Sequence, residues 1–345
     1  MTSEAATGRQ VTMADIARAA GVSMATASRA LSGSHGVSAA TTARVRAVAE
    51  ELSYVVSPEA SGLARRATRR VGVLTSHIAR WFFGEALEGI EAVLAAQGLD
   101  LVLYCVGTPE DRRRFFADLP ARRKVDGLIV VGMPISAAER TRLDLLGVAV
   151  VAAGGQTADY PYVSIDDAEA GRQAMDHLLM LGHQRIAMID AIDPNAEEWP
   201  VELRALAYTR ALERAGVPLR EDYFVRVPWG PDGGAEGMER LLSLPEPPTA
   251  VFVHSDDMAY GVLRVLRHAG LRVPQDLSVV SIDDAPFSRL LDLTTVRQDA
   301  RLQGTLAAQA ALAAIADDGE HVPQETLTTT RLVPRGSTAA PEPGR

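Results

Sequence analysis

Arg29 and the polar residues near it carry side chains that can read DNA. The planar fork of an arginine guanidinium matches the O6 and N7 acceptors of guanine in the major groove, and Ser28 stands next to it in the chain. Hydroxyl groups instead suit phosphate oxygens, which fix a protein's register on the duplex. The hydroxyl-bearing residues that we expect to contact phosphate are Thr12, Ser23, Thr26, Ser38 and Thr41.

These residues lie in a segment, 11–29, that predicts two short helices joined by a tight turn. Thr12 can cap the first helix, with Asp15 three positions later to complete a capping box. Gly21 ends that helix because glycine enters the left-handed conformation without steric penalty, and Ser23 caps the second. A small apolar face on the first helix consists of Ile16, Ala19 and Ala20. The layout is that of a helix-turn-helix, whose second helix enters the major groove.

A third helix follows, with Ser38 as its cap. Its apolar stripe consists of Val45, Val48, Ala49 and Leu52. Three such helices can share a small core. An ordinary helical hairpin is the alternative, but the first two helices are too short and too rich in alanine to form a core alone.

The distribution of charge also favours a DNA-binding head. Residues 1–70 contain nine arginines and five acidic residues, a net charge of +4, whereas the whole chain carries −9 and residues 71–345 therefore −13. A basic head on an acidic body indicates that the head meets phosphate and the body does not.

From residue 71 the chain alternates between short apolar runs and helical segments. Helices are predicted at 84–98 and 257–270. The apolar runs are typical of buried parallel strands and occur at 70–77, 99–106, 126–133, 147–154, 185–191, 249–255 and 277–283. This alternation predicts α/β lobes with parallel, doubly wound sheets and ligands at the carboxyl ends of the strands.

Several classes of protein are disfavoured by missing motifs. The chain contains no HExxH, CxxC, GxSxG or Walker-type glycine loop, so we expect no enzyme, no metal and no cofactor. The single cysteine, Cys105, lies in an apolar run and is predicted to be a buried structural thiol. His183 is predicted to be a structural residue at a helix end. No run of roughly 20 apolar residues and no secretory signal occur, so we expect a cytoplasmic protein without a membrane partner.

Segment 11–55 resembles the DNA-binding domain of the lactose/galactose repressor family. Further segments that fit the family's pattern, in its order, lie at 181–189, 204–216, 248–261, 270–284 and 293–299. The resemblance implies an all-α helix-turn-helix domain over 9–56, a hinge over 57–70 and a two-lobed, periplasmic-binding-protein-like domain over 71–335. It also implies that the chain crosses between the lobes near residues 168, 296 and 325. We expect a disordered tail at 336–345.

In the family, the hinge folds on DNA and wedges a leucine into the minor groove. Leu63 matches that leucine and Ala60 the alanine before it, so both are candidate DNA contacts. Ser57, Ser61 and Gly62 depart from the pattern, and glycine weakens a helix by about 1 kcal/mol relative to alanine. A flexible linker is the alternative.

The resemblance assigns further DNA contacts in the head. Met24 and Ala25 match the family's specificity positions, and because both are apolar we expect them to meet thymine methyl groups or fill space. Tyr54 either touches the DNA backbone or packs in the core.

Candidates for an effector site come from the same resemblance. Arg204 matches an arginine that binds the effector, and Asp283 matches an aspartate that binds ligand hydroxyls. Gln298 matches a glutamine of the pocket, and Trp229 matches a tryptophan that stacks on sugars. Ser255 and Asp256 follow a strand at a place where asparagine-aspartate is common in the family. The remaining candidates are not given by the resemblance: Trp81, Phe82 and Phe83 follow the first strand of the body and could close the opposite wall of the cleft. For Asp256 a helix cap is the alternative, and for the three aromatic residues it is ordinary packing.

Together these features predict a homodimeric repressor of double-stranded operator DNA. A small ligand, a carbohydrate, changes its operator affinity from the cleft. The alternative is a nucleoside, purine or sugar-phosphate co-repressor, and a solute-binding protein or enzyme is less favoured. The absence of a leucine-heptad tail favours a dimer over a tetramer.

Overall fold

A computed structural model describes residues 11–32, 36–52, 54, 67–155, 160–192, 203–316 and 324–342. The chain divides into two compact units, Met1–Thr68 and Arg69–Arg345, called here the head and the body. The predicted body begins two residues later, at residue 71.

The described residues of the head form three helices, as predicted. They are α1 (Met13–Ala19), α2 (Met24–Ser32) and α3 (Ala39–Glu51). Thr12 and Asp15 form the predicted capping box on α1, and Gly21 has the predicted positive φ, +66°. Local hydrogen bonds therefore set the length of α1 and the turn that follows it.

Small side chains form the core of the head. Its buried members are Ile16, Ala17, Ala20, Ala27, Ala30, Val45 and Ala49. Two predictions of buried residues are wrong, because Ala19 and Leu52 are both exposed. Ala17 takes the place of Ala19, since the turn of α1 directs position 17 inward.

The described residues of the body form two six-stranded sheets, one in each lobe. The strands are β1 (Arg70–Thr75), β2 (Asp100–Cys105), β3 (Gly127–Val131), β4 (Ala149–Ala153), β5 (Tyr162–Ile165), β6 (Ile186–Ile192), β7 (Phe224–Pro228), β8 (Ala250–Val253), β9 (Ser278–Asp283), β10 (Thr294–Arg297), β11 (Glu325–Thr328) and β12 (Arg331–Val333). The order is β11-β5-β4-β3-β1-β2 in lobe 1 and β12-β10-β9-β8-β6-β7 in lobe 2. The described strand pairs are parallel except β10–β12.

Helices cover both faces of each sheet. They are α4 (Trp81–Ala96), α5 (Pro109–Asp118), α6 (Ala137–Asp144), α7 (Asp167–Met180), α8 (Leu203–Arg214), α9 (Pro231–Leu242), α10 (Asp256–His268), α11 (Pro286–Leu290) and α12 (Ala300–Ala316), with a 3₁₀ turn at Glu221–Tyr223. Side chains of Thr108, Ser136 and Asp166 cap α5, α6 and α7. The doubly wound architecture is as predicted.

The chain passes between the lobes three times. The crossings follow β5, β10 and β11, at residue 166, at 298–299 and at 329–330. The predicted positions 168, 296 and 325 lie within a few residues of them. Because the last strand of each sheet comes from a late crossing, both lobes are closed by the C-terminal part of the chain.

Two predictions about the body are wrong. Cys105 is exposed, because β2 forms the edge of the lobe 1 sheet. Residues 336–342 of the predicted disordered tail lie along lobe 2. There Ser337 Oγ donates a hydrogen bond to Val279 O (2.6 Å) and accepts one from Thr294 N (2.8 Å).

His183 has the predicted structural role. Its ring is buried, with Nδ1 2.9 Å from Thr249 Oγ1 and Nε2 2.9 Å from Ala339 O. Burial lowers the pKa of this imidazole, which favours its neutral form. Among the described residues, no helix is both long and apolar enough to cross a membrane.

Candidate operator interface and ligand cleft

The outer face of α2 presents the residues predicted to read bases. Met24, Ala25, Ser28 and Arg29 are exposed, and Met24 is 58% exposed, which is unusual for a large apolar side chain. Arg29 Nε donates a hydrogen bond to Ala25 O one turn earlier, at 3.2 Å. The same helix buries Ala27 and Ala30 in the core, so its two faces are divided between packing and solvent.

The predicted phosphate contacts lie at the N-termini of the three helices. Ser23 Oγ accepts a hydrogen bond from Thr26 N at 3.1 Å, and Ser38 Oγ accepts one from Thr41 N at 3.2 Å. Thr12 caps α1. Helix N-termini attract anions through their free N–H groups and the helix dipole, so these positions suit phosphate.

The remaining DNA-contact predictions have different outcomes. Tyr54 packs against the core of the head, and its backbone N donates to Ala49 O at 2.8 Å, in keeping with the alternative of core packing. Ala60 and Leu63, with the atypical Ser57, Ser61 and Gly62, lie outside the described residues.

A cavity that is partly open to solvent lies between the two lobes of the body, with about 570 Å³ of empty space when the solvent at its mouth is included. Its walls include Gly132 and Gly154, which follow β3 and β4, and Asp283, the last residue of β9. The cavity thus lies at the carboxyl ends of the strands, as expected for a doubly wound fold. Six predicted effector residues line it, namely Phe82, Phe83, Arg204, Trp229, Asp283 and Gln298.

Arg204 is held in place by two neighbours in the cavity wall. Its Nε donates to Asp167 Oδ1 at 2.7 Å, and its Nη1 donates to His254 O at 2.6 Å. The Arg204 side chain is only 11% exposed and that of Asp167 27%. The pair therefore presents a fixed, largely charge-balanced edge to a ligand.

A ladder of polar groups crosses the floor of the cleft. Gln303 Nε2, from α12, donates to Gln298 Oε1 at 2.9 Å, and Gln298 Nε2 donates to Asp283 Oδ1 at 2.7 Å. Burial raises the pKa of the Asp283 carboxyl well above its usual value, the charge of Asp256 adds to this, and Arg204 opposes it. The ladder joins lobe 1 to lobe 2 through one of the crossings.

Trp229 is positioned by a buried pair in lobe 2. Its ring meets the ring of His254 edge-on, with centres 4.6 Å apart. His254 Nδ1 lies 2.9 Å from Asp190 Oδ1, and Arg226 Nε lies 3.3 Å from the other carboxylate oxygen. Burial disfavours the Asp190 charge, but the contacts with His254 and Arg226 lower its pKa overall.

Two glycines leave room for the aromatic wall of lobe 1. A Cβ at Gly154 would collide with the ring of Phe82, and one at Gly132 would lie 2.6 Å from Phe83 Cε1. Both glycines also have positive φ, +70° and +59°. Phe82 and Phe83 pack edge-on, with ring centres 5.5 Å apart. The close approach of ring to backbone requires glycine at both positions.

Three predicted effector residues do not line the cavity. Trp81 begins α4 on another side of the helix, and Ser255 is buried at the N-cap of α10. Asp256 is fully buried. Its carboxylate accepts hydrogen bonds from Ser281 Oγ (2.5 Å), Thr295 Oγ1 (2.7 Å), Ala285 N (2.8 Å) and Ser288 Oγ. It fixes the packing of β9 and β10 and leaves no oxygen for a ligand.

Five charged or polar residues of the cavity were not predicted from the sequence, and one of them is Ser164, in β5. Arg80 directly precedes the predicted Trp81 in the chain, and Asp257 directly follows the predicted Asp256. The sequence therefore identified the right segments but the wrong positions in them. Asp167 and Gln303 follow the first and second crossings. Among the described residues, no group of three or more His, Cys, Asp or Glu is placed to hold a metal ion.

A helix-turn-helix head joined to a two-lobed body with a ligand cavity defines a ligand-responsive transcription regulator. Residues 12–57 match the family "Bacterial regulatory proteins, lacI family", and residues 175–338 match "Periplasmic binding protein-like domain". The HTH-type transcriptional repressor CytR of Escherichia coli K12 is 33% identical over 95% of this chain and 96% of its own length. The catabolite control protein A of Priestia megaterium is 33% identical over 84% of this chain and 87% of its own length.

Solved structures agree in fold across both units. The lac repressor dimer bound to operator and the anti-inducer ONPF has a TM-score of 0.82 and 28% identity, over 96% of this chain and 100% of that chain. A complex of the regulator CelR with cellobiose has a TM-score of 0.69 and 30% identity, over 95% of this chain and 100% of that chain. The chain belongs to the LacI family. It is a DNA-binding transcriptional repressor with a ligand-binding domain and not an enzyme.

Proposed function

We propose that this repressor acts as a cytoplasmic homodimer on a near-palindromic operator and that a neutral carbohydrate binds between its lobes. A two-fold dimer reads a two-fold site, with one head in each half. The observation that carries the ligand class is the composition of the cavity wall, in which aromatic side chains stand beside carboxyl, amide and guanidinium groups. Aromatic faces suit the apolar face of a sugar ring, and the polar groups suit its hydroxyls.

The charges of the cavity favour a neutral ligand over a sugar phosphate. Asp167, Asp257 and Asp283 all line it, and Arg204 is already bound to Asp167. A phosphate group would therefore meet three carboxyl groups and two arginines, Arg80 and Arg204, and the charge of Arg204 is largely neutralised by Asp167.

A nucleoside is the second candidate, because aromatic residues come from both lobes. Phe82 belongs to lobe 1 and Trp229 to lobe 2, and such an arrangement can hold a flat base between two rings. Among the structural relatives, CelR is complexed with cellobiose and a LacI family regulator of Enterococcus faecium with ribose, so both sugars belong in a first screen.

The ligand acts through a difference in its affinity for two lobe arrangements, which changes the geometry of the hinge. Such coupling is typically worth ~1–3 kcal/mol of operator affinity. The direction of the effect is read by titrating operator with and without ligand.

A thermal-shift screen tests the ligand class. The panel is cellobiose, ribose, cytidine, adenosine and glucose 6-phosphate, and a ligand at about 100 times its Kd stabilises the protein by about 2.7 kcal/mol. We expect a shift with a neutral sugar. A shift with a nucleoside alone would replace the sugar assignment, and one with the phosphate alone would contradict the charge argument.

Variants of two cavity residues test the site itself. Trp229→Ala and Asp283→Asn should abolish the ligand's effect on operator affinity and leave operator binding without ligand unchanged, because neither residue lies in the head. An unchanged ligand effect in both variants would contradict the site.

A further inference from the structure

Arg80 belongs to lobe 1, but its guanidinium reaches lobe 2. The residue is the N-cap of α4, where its carbonyl oxygen accepts a hydrogen bond from Gly84 N at 3.1 Å. Its Cζ lies 5.4 Å from the ring centre of Trp229, which directly follows β7. A cation within ~6 Å of an indole centre is attracted to the electron-rich face of the ring. This contact joins the lobes across the cleft.

The same guanidinium acts on a second group of lobe 2. Asp257, the second residue of α10, lines the cavity beside Trp229. Burial raises the pKa of its carboxyl, and the positive charge of Arg80 lowers it. Two attractive neighbours of Arg80 therefore lie on the opposite lobe, and both of these interactions depend on how far apart the lobes stand.

The position of Arg80 restricts access to Trp229. His254 approaches the indole edge-on, and the lobe 2 core packs against it. Arg80 lies over the ring, and both side chains line the cavity. A ligand ring that stacks on Trp229 from the cavity requires the space that the guanidinium occupies.

We propose that Arg80 is a specificity-determining residue that competes with the ligand for the face of Trp229. In the ligand-free protein it bridges the lobes through Trp229 and Asp257. A ligand binds only if its ring stacks on the indole better than the guanidinium does. The displaced guanidinium stays near Asp257 and disfavours cationic rings, such as those of amino sugars, relative to neutral ones. This inference rests on the ligand site of the proposed function.

Quenching of Trp229 fluorescence tests the contact without any effector. The other tryptophans are replaced (Trp81→Phe and Trp199→Phe) in the full-length protein, and acrylamide is the neutral probe. Arg80→Ala should raise the acrylamide quenching constant and shift the Trp229 emission to longer wavelength. Arg80→Lys, which keeps a cation, should stay near the parent. Arg113→Ala, which removes an exposed lobe 1 arginine on α5, is the matched control and should change nothing. An unchanged quenching constant in Arg80→Ala overturns the proposal.

Ligand affinity then tests the competition. The probe is whichever of cellobiose, ribose and cytidine stabilises the wild-type protein. Arg80→Ala should bind it about two- to fivefold more tightly, which corresponds to a cation–π contact of ~0.5–1 kcal/mol. Weaker or equal binding by Arg80→Ala overturns the competition, because a weaker complex would make Arg80 a direct ligand contact. If neither sugar and no nucleoside of this set binds, the ligand class of the proposed function is contradicted. The quenching result still decides whether Arg80 lies against Trp229.

Discussion

His254 and Asp190 form a buried pair, with the imidazole Nδ1 2.9 Å from a carboxylate oxygen, on the side of Trp229 that faces the core of lobe 2. Both side chains are at most 4% exposed. His254 also provides, through its carbonyl oxygen, one of the two anchors of Arg204. One residue therefore positions the aromatic and the cationic part of the cleft, and its own position depends on Asp190.

Asp190→Asn should destabilise the body and disturb Trp229. The substitution keeps the shape but removes the charge that the His254 hydrogen bond depends on. Hydrogen bonds to charged groups contribute about 1.5–3 kcal/mol, so we expect the free energy of unfolding to fall by that amount in urea at pH 7. Asp232→Asn, at a fully exposed aspartate, should change it by less than ~0.5 kcal/mol. A loss no larger than that of Asp232→Asn would show that the pair does not stabilise the fold.

The same pair gives a pH dependence of defined sign. The pKa of Asp190 is lowered in the folded protein, so its contribution to stability is present above the unfolded value of about 3.9 and is lost as pH falls through the lower folded value. The stability difference between wild type and Asp190→Asn should therefore be constant from pH 5 to 7 and shrink below about pH 4. Urea titrations at several pH values measure it, and a difference that stays constant at low pH would contradict the assignment.

The stability contribution of Asp283, tested by Asp283→Asn, should depend on pH with the opposite sign. Burial raises the pKa of Asp283, so its contribution is fully present below about pH 3.9 and is lost as pH rises through the folded value. The neutral amide of the variant can still accept the hydrogen bond from Gln298 and carries no buried charge. The melting temperature of the variant should therefore rise relative to wild type between pH 5 and pH 9. A relative fall over that range would mean that Asp283 is ionised and stabilising.

Gly154→Ala should displace Phe82 from the cavity. A left-handed φ costs a residue with Cβ roughly 1–2 kcal/mol, and here the new Cβ would also collide with the Phe82 ring. Gly147→Ala is the matched control, because Gly147 has φ +66° and no atom within 4 Å of its Cβ position. Both variants should lose stability in urea, but only Gly154→Ala should lose ligand binding. Equal ligand affinity in the two variants would remove Phe82 from the site.

The head was predictable from sequence because local signals determine it. The capping box of Thr12 and Asp15 and the glycine at position 21 act within one helical turn, and the structure contains both. The core of the head was less predictable. Ala17 and Ala19 are both small and apolar, and only packing against α2 and α3 decides which of them is buried.

The sequence predicted which segments of the chain line the cleft, but not always which residue of a segment faces it. Consecutive helical residues point about 100° apart, so the rotation of α10 decides that Asp257 faces the cavity and Asp256 the core. The same applies to Trp81 and Phe82 on α4. Cys105 shows a different limit, because an apolar run does not reveal that its strand forms the edge of a sheet. These outcomes depend on tertiary packing, which one sequence does not specify.

Arg29→Ala should weaken specific operator binding by roughly 1–3 kcal/mol and leave ligand binding unchanged. The guanidinium lies on the exposed face of α2, beside the exposed Met24 and Ala25, and a bidentate contact to guanine is the interaction it would lose. Titration of a labelled operator at fixed salt measures the loss, with Arg113→Ala in the body as the control. Replacing the contacted guanine should weaken the wild-type protein by a similar amount and the variant much less. Equal operator affinity of Arg29→Ala and wild type would exclude the base contact, and a loss that is uniform over all sequences would make Arg29 a phosphate contact instead.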